Sequence, residues 1–245
     1  MAVSVEITIP ILNEEATLHA QVHQVRAFVD QHLQDLPSIG IVLADNGSTD
    51  ATPAIAAQLA QELAGVRYLR LEARGVGRAL KASWKSSNAD IVGYMDLDLA
   101  TDLHSLRPAL ARLLDDQAEV VTGSRLARGA RVRGRSLLRG FTSRVFNLLL
   151  QLYLRVGFTD GMCGFKFLQR RHLPTILDAG AVSDGWFFAT EVLVVAEHLG
   201  LRVSDLPVQW TDDPNSKVKI VKLTLEYLRA MRALRQRLAR HPGKA

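Results

Sequence analysis

Two rhythms of apolar and polar positions alternate along the first 124 residues. Residues 3–12 are rich in Val and Ile and stop at Asn13, the pattern of a buried strand. From 14 to 36 the apolar positions Leu18, Val22, Val25, Val29 and Leu33 recur at helical spacing. A short apolar run at 39–44 ends at the turn formers "DNGSTD". Ser48 or Thr49 is placed to cap a following helix over 50–64, with Asp50 favourable in its first turn. A third strand follows at 66–71, and Gly75 and Gly77 open a helix that runs through Lys85. A fourth strand at 91–95, a helix at 103–115 with Asp102 as its cap, and a fifth strand in "AEVVTG" complete the series. This βαβ spacing predicts a mostly parallel sheet covered by helices on both faces. Ligands of such sheets bind outside the carboxyl ends of the strands. "NEE", "DNGSTD", "RGVG" and "DLDLATD" all fall just there and should converge on one edge.

The second half changes character. Residues 136–156, "SLLRGFTSRVFNLLLQLYLRV", are strongly apolar but broken by Arg139, Arg144 and Arg155. After "DGMCGFKFL" come a helix near 171–179, a buried helix in "GWFFATEVLVVAEHLG" and a strand in "LRVSDLPVQW". Residues 218–241 read as a basic amphipathic helix with Val221, Leu225, Leu228, Met231, Leu234 and Leu238 along one side. No repeat or low-complexity linker divides the chain, which favours one domain.

Composition adds location and charge. The 245 residues are 48% hydrophobic and 22% charged, an ordinary globular balance. One cysteine, Cys163, excludes an internal disulfide and suits a reducing, cytoplasmic compartment. The N-terminus lacks the basic start of a signal peptide, and no window offers the ~18 uninterrupted apolar residues of a membrane span. The net charge of +5 hides a division. Residues 125–171 and 217–245 together carry +18, and the remainder carries −13. Two basic segments beside an acidic front point to an anionic partner such as phosphate, a membrane surface or nucleic acid. Four Tyr and three Trp, with no stacking pattern in the basic segments, argue against nucleic acid.

The chemistry gathers at the strand ends. Asp96 and Asp98, two apart on an extended chain, face the same way. Paired carboxylates of this kind suit Mg²⁺ or Mn²⁺, with further positions left to substrate phosphates. Asp45 at another strand end can accept from a nucleobase or ribose, or close an Asx turn. Gly75 and Gly77 allow a backbone to approach phosphate closely, or simply turn into the helix. No dinucleotide fingerprint, Walker loop or serine elbow is present. The seven histidines, at 19, 23, 32, 104, 172, 198 and 241, show no zinc spacing and read as surface or satisfied core.

Taken in order, "TIPILNEEATL", "LADNGSTDAT", "RGVGRALKASW", "ADIVGYMDLDLATDL", "VVTGSR", "DGMCGFKFL" and "PVQWTDDPNSKV" resemble the family 2 inverting glycosyltransferases over residues 3–220. The likeness is greatest to the dolichyl- and polyprenyl-phosphate sugar synthases. Trp210–Val218 and "DLDLAT" look more like the dolichyl-phosphate glucosyltransferase branch than the mannosyl branch. The resemblance implies a GT-A-type α/β domain over 1–217, split into a nucleotide-sugar half (1–124) and an acceptor half (125–217), followed by the basic helix 218–245. Pro10, Asn13, Glu14 and Asp45 would line the nucleoside pocket, with Gly77 and Arg78 on the nucleotide side. Asp96 would lie near ribose and metal, and Asp98 would be the main ligand of Mg²⁺ or Mn²⁺.

The implied donor is UDP-glucose first and GDP-mannose second. The implied acceptor is polyprenyl phosphate, an anion that attacks the anomeric carbon without a strong base. Arg125 and Arg139 would meet that phosphate, and Lys217 would lie near the diphosphate or the acceptor. Asp160 and Glu191 would hold those cations or the sugar hydroxyls. Many relatives carry transmembrane helices beyond this point. That implies a peripheral enzyme on the cytoplasmic membrane face, a membrane-subunit partner, or a soluble acceptor in place of the lipid. Asn46 and Ala100 depart from the family pattern, where a second acid and a polar residue are common.

Overall fold

A computed structural model of the protein describes residues 3–212 and 220–241. Lys217 and most of the stretch after Trp210 that supported the glucosyl branch lie outside the described residues. The alternating half folds as its rhythm requires. β1 (Ser4–Ile11), β2 (Ser38–Asn46), β3 (Val66–Leu71), β4 (Ile91–Met95) and β5 (Val120–Ser124) alternate with α1 (Leu18–His32), α2 (Thr52–Glu62), α3 (Val76–Ser86) and α4 (Leu106–Leu114). The rest of the chain adds β6 (Arg131–Arg133), α5 (Leu137–Leu154), β7 (Phe165–Gln169), α6 (Leu173–Asp178), α7 (Phe188–His198), β8 (Val203–Pro207), β9 (Gln209–Thr211) and α8 (Ile220–Leu238).

Seven strands form one sheet in the order β3-β2-β1-β4-β7-β5-β8, and β6 pairs with β9 in a separate ribbon. Every pair in the large sheet is parallel except those of β7, which runs antiparallel to both β4 and β5. Sequence reading assigns no strand to "GFKFL" or to "RVR"; the structure forms β7 and β6 there. Val208 also divides the single strand expected in "LRVSDLPVQW" into β8 and β9.

Strand alternation splits the core in two. Ile91, Met95, Val121, Phe165 and Phe167 pack with α1, α2 and α4 on one face. Val92, Tyr94, Val120 and Leu168 pack with α3, α6, α7 and α8 on the other. Gly93 is where β7 crosses: a Cβ there would stand 2.1 Å from the Phe167 ring.

Helix starts differ from the expected capping. α2 begins two residues late, and neither Ser48 nor Thr49 caps it; the Asp50 carboxylate instead accepts from the Thr52 N–H at 3.0 Å. Ser48 is used elsewhere, accepting the Asn13 N–H at 3.0 Å. Asp102 caps as expected, taking the His104 N–H at 2.9 Å, but onto a short 3-10 turn that precedes α4.

Candidate active site

Because β1, β2, β4 and β5 are parallel, Asn13, Asp45, Asp96 and Arg125 leave the sheet at one edge. The antiparallel sense of β7 brings its incoming segment, Asp160–Gly164, to that same edge.

The segments that follow β1 and β2 are stitched together. Asn13 adopts φ 56°, a left-handed backbone that asparagine tolerates, and its side chain accepts the Thr49 N–H at 2.9 Å. The Glu14 N–H donates to Thr52 at 2.7 Å. Pro10 pairs with Ala44 beyond the last β1–β4 pair, which is Thr8 with Tyr94. Asp45 is fully buried, and its carboxylate receives the Ser48 N–H (2.8 Å), the Tyr68 hydroxyl (2.9 Å) and Arg70 (2.8 Å). The carboxylate thus closes an Asx-type turn and makes an ion pair with Arg70. Burial raises the Glu14 carboxyl, and the nearby Asp98 and Asp50 charges push it the same way.

The glycines serve contact between chain segments. The Gly77 N–H donates to Gly185 O at 3.2 Å, and a Cβ on Gly77 would fall 2.5 Å from Ser183 O. Of the two readings of Gly77, phosphate approach or a turn into the helix, the structure shows its amide bound to the loop before α7. Arg78 and Lys81 both bind Asp184 of that loop, at 2.6 and 2.7 Å. The same loop explains Glu191. Its buried carboxylate accepts the N–H groups of Val182 and Ser183 and the Ser183 hydroxyl, and it pairs with Arg237 of α8. Glu191, expected to hold cations or sugar hydroxyls, holds Arg237 here and ties the loop to α8.

The two central acids do not sit on an extended chain. β4 ends at Met95 and the chain turns, with Leu99 at φ 53°, a strained left-handed position for leucine. Asp98 stands exposed and accepts the Ala100 N–H at 3.0 Å. Asp96 turns inward over Gly164, where a Cβ would come within 1.7 Å of its Oδ2. Its Oδ1 is sealed from solvent and has no hydrogen-bond partner. Burial raises the Asp96 carboxyl to about 7, helped by Asp98 and opposed by Lys166 and Arg125. A sealed carboxylate oxygen without a donor, beside a second acid, fits a hard divalent cation.

Behind Asp96 lies a buried charge network that sequence reading found only in part. Arg125 and Asp160 form a buried pair at 2.7 Å, and the guanidinium lies 4.7 Å from the centre of the Trp210 ring. Arg125, expected at the acceptor phosphate, is paired here with Asp160 within the framework. Lys166, 1% exposed on β7, donates to Cys163 O and lies over the Tyr94 ring. Burial lowers its ammonium, while Asp160 and Asp96 pull it back up. "GFKF" carried the signal: a lysine flanked by apolar residues in a strand has no route to water. Arg135 was also missed. It is half-buried with Nε lacking a partner, and it is coupled to Arg125, Asp160 and Asp212. Arg139 lies 3.7 Å from Asp212. β9 closes the network onto the acidic loop through the bridge Thr101–Trp210 and the Thr211 N–H to Ala100 O at 2.9 Å.

An acidic, cation-ready mouth at the carboxyl edge of a sheet with one inserted antiparallel strand is the plan of a GT-A-type glycosyltransferase. The family model for glycosyl transferase family 2 matches residues 6–177, and the chain belongs to that family. It is 34% identical over 223 residues to glycosyltransferase AglD of Haloferax volcanii, covering 90% of this chain but only 35% of that protein. It is 28% identical to a dolichyl-phosphate beta-glucosyltransferase of Drosophila melanogaster, covering 89% of this chain and 70% of the other. The solved structure of glucosyl-3-phosphoglycerate synthase from Mycobacterium tuberculosis, with Mn²⁺, UDP and its product, superposes with a TM-score of 0.68. That match covers 96% of this chain and 80% of the other at 19% identity, a likeness of fold. The same synthase has also been solved with Mg²⁺ and UDP.

Proposed function

We propose that this chain transfers a hexose, glucose ahead of mannose, with inversion from a nucleotide-diphosphate sugar to a polyprenyl or dolichyl phosphate at a membrane surface. An acceptor phosphate oxygen forms the new bond to the anomeric carbon. The bond to the nucleoside diphosphate breaks, and its electron pair leaves with that group. Because the attacking oxygen is already anionic, no side chain has to remove a proton. What the protein supplies is placement of two anions that repel each other. Asp96 and Asp98 would hold Mg²⁺ or Mn²⁺, which neutralises the leaving diphosphate when bound. Arg135, just before α5, and Arg139, in its first turn, are the cations we assign to the acceptor phosphate.

One observation carries the lipid acceptor. Leu138, Phe141, Val145, Leu148 and Leu152 lie along one side of α5 at three- and four-residue spacing, and all are exposed, Leu152 by 70%. An outward apolar stripe rising from two arginines suits a helix lying in a bilayer interface. Relatives named dolichyl-phosphate beta-glucosyltransferase support the same acceptor. Among the described residues no helix is long and apolar enough to cross a membrane.

Transfer of labelled glucose from UDP-glucose to polyprenyl phosphate in anionic vesicles tests this. Each of Leu148 and Leu152 contributes roughly 1.5–3 kcal/mol if its side chain is buried in lipid. The double variant Leu148→Glu, Leu152→Glu should therefore bind vesicles at least roughly 100-fold more weakly and lose lipid-extractable product. Its melting-temperature rise with UDP and Mn²⁺ should persist. Undiminished lipid glycosylation would sink the membrane role of α5 and move attention to a soluble acceptor.

A second expectation concerns the floor of the metal site. Gly164→Ala pushes a methyl into Asp96 and should weaken Mn²⁺ affinity roughly 10–100-fold, as loss of a supporting contact does. Titration of Mn²⁺ by its paramagnetic signal reads this directly. Wild-type affinity in that variant would mean that Asp96 does not take part.

A further inference from the structure

We propose that His19, His23 and Glu62 form a second cation site, for a transition-metal ion of the Zn²⁺ type, which clips α1 to α2. The two histidines lie four residues apart on α1 and so share one face of the helix, their ring centroids 4.5 Å apart. Glu62, the last residue of α2, completes the group, and one ligand atom from each residue lies within 4.8 Å of the others. Sequence reading set these histidines aside because the third ligand is 39 residues away, and only packing of α1 on α2 brings it close.

Two further observations point to a ligand. Nε2 of His23 is sealed from solvent and has no hydrogen-bond partner. Buried ring nitrogens are ordinarily satisfied, so this one awaits a donor or a metal. Glu62 is already oriented: Gln58, one turn back on α2, donates to its Oε1 at 2.7 Å. Metal-binding carboxylates are held by outer hydrogen bonds of this kind.

The donor set decides which ion. Two imidazoles and one carboxylate suit Zn²⁺, Co²⁺ or Ni²⁺, whereas Mg²⁺ prefers the all-oxygen acids at Asp96 and Asp98. Three protein ligands leave a fourth position for water, and exposed His19 and Glu62 leave that side open to solvent. The consequence reaches the donor pocket. α1 and α2 begin at the two loops joined by the Asn13–Ser48 and Glu14–Thr52 bonds, so a clip between the helices stiffens both.

The test uses the tag-free full chain in excess Mg²⁺, which fills the carboxylate site. Equilibrium dialysis should find one tightly held Zn²⁺, and Co²⁺ should give visible absorption typical of imidazole coordination. The melting temperature should rise with Zn²⁺. His23→Gln should lose all three signals, and Glu62→Gln should weaken them. Because His19 is exposed, His19→Gln should fold normally, keep transferase activity in zinc-free buffer and still lose the zinc. Unchanged zinc stoichiometry in His19→Gln and His23→Gln, or no zinc held by the wild type, would overturn the site.

Discussion

Asp98→Asn is expected to lower hexosyl transfer by roughly 10²–10³-fold, the scale of removing one preorganised charge partner from a transition state. Asparagine is the informative replacement because its side-chain oxygen can still accept the Ala100 N–H that the aspartate holds at 3.0 Å. That bond stabilises the turn in which Leu99 takes φ 53°, and alanine would loosen it as well as remove the charge. Asp98 is exposed at the mouth, so the core is untouched and the melting temperature should stay close to wild type. The sharper readout is linkage: UDP with Mn²⁺ should raise the wild-type melting temperature well above the effect of UDP alone. In Asp98→Asn the two should nearly coincide. A variant that keeps both turnover and the metal-dependent rise would remove Asp98 from the metal site.

How much of this was legible in the chain depends on the range of the forces involved. The βαβ half was legible because its signal is local. Val22, Val25 and Val29 repeat at helical spacing, and all three are buried against the sheet. The strand-end loops could be placed together without knowing a single contact, since parallel strands bring their carboxyl ends to one edge. β7 was not legible. Five residues, "FKFLQ", with a lysine second, do not look like the centre of a sheet. The lysine is tolerated there because Asp96 and Asp160 lie in the same buried network.

The partners of individual site residues were hidden for a related reason. Arg125, Glu191 and Gly77 were given to ligands because their neighbours in sequence resembled ligand motifs. In the fold each is taken by a partner far along the chain: Asp160, Arg237 and Gly185. Asp96 shows the opposite case. Its position next to the site was readable, but its unsatisfied oxygen depends on the close approach that Gly164 allows.

Asp160→Asn is expected to destabilise the protein by about 3–5 kcal/mol, the usual consequence of leaving one member of a buried ion pair without its counter-charge. For a chain of this size that lowers the melting temperature by about 10 °C. Burial by itself would raise the Asp160 carboxyl, but the Arg125 charge and hydrogen bonds hold it below the ordinary value of 3.8. The pair therefore contributes fully above that pH, and its contribution fades only in stronger acid. Four donors converge on the carboxylate: the Arg125 N–H, Nε and Nη2 and the Met162 N–H, at 2.7–3.1 Å. Asparagine matches the shape but presents an NH₂ group to one of these donors and removes the charge. The double variant Arg125→Met, Asp160→Leu should be more stable than the sum of the single changes predicts, because no lone charge remains buried. Activity should fall in all of them. Arg125 supports the Trp210 ring, and Trp210 pins the loop that carries Asp98. The competing view, that Arg125 binds acceptor phosphate, predicts a different pattern for Arg125→Met. Stability would then stay at the wild-type level while the KM for the acceptor rose and the KM for the donor did not. Urea unfolding and two-substrate kinetics on the same preparations separate the views, and a stable Arg125→Met with a selective acceptor defect would return Arg125 to the acceptor site.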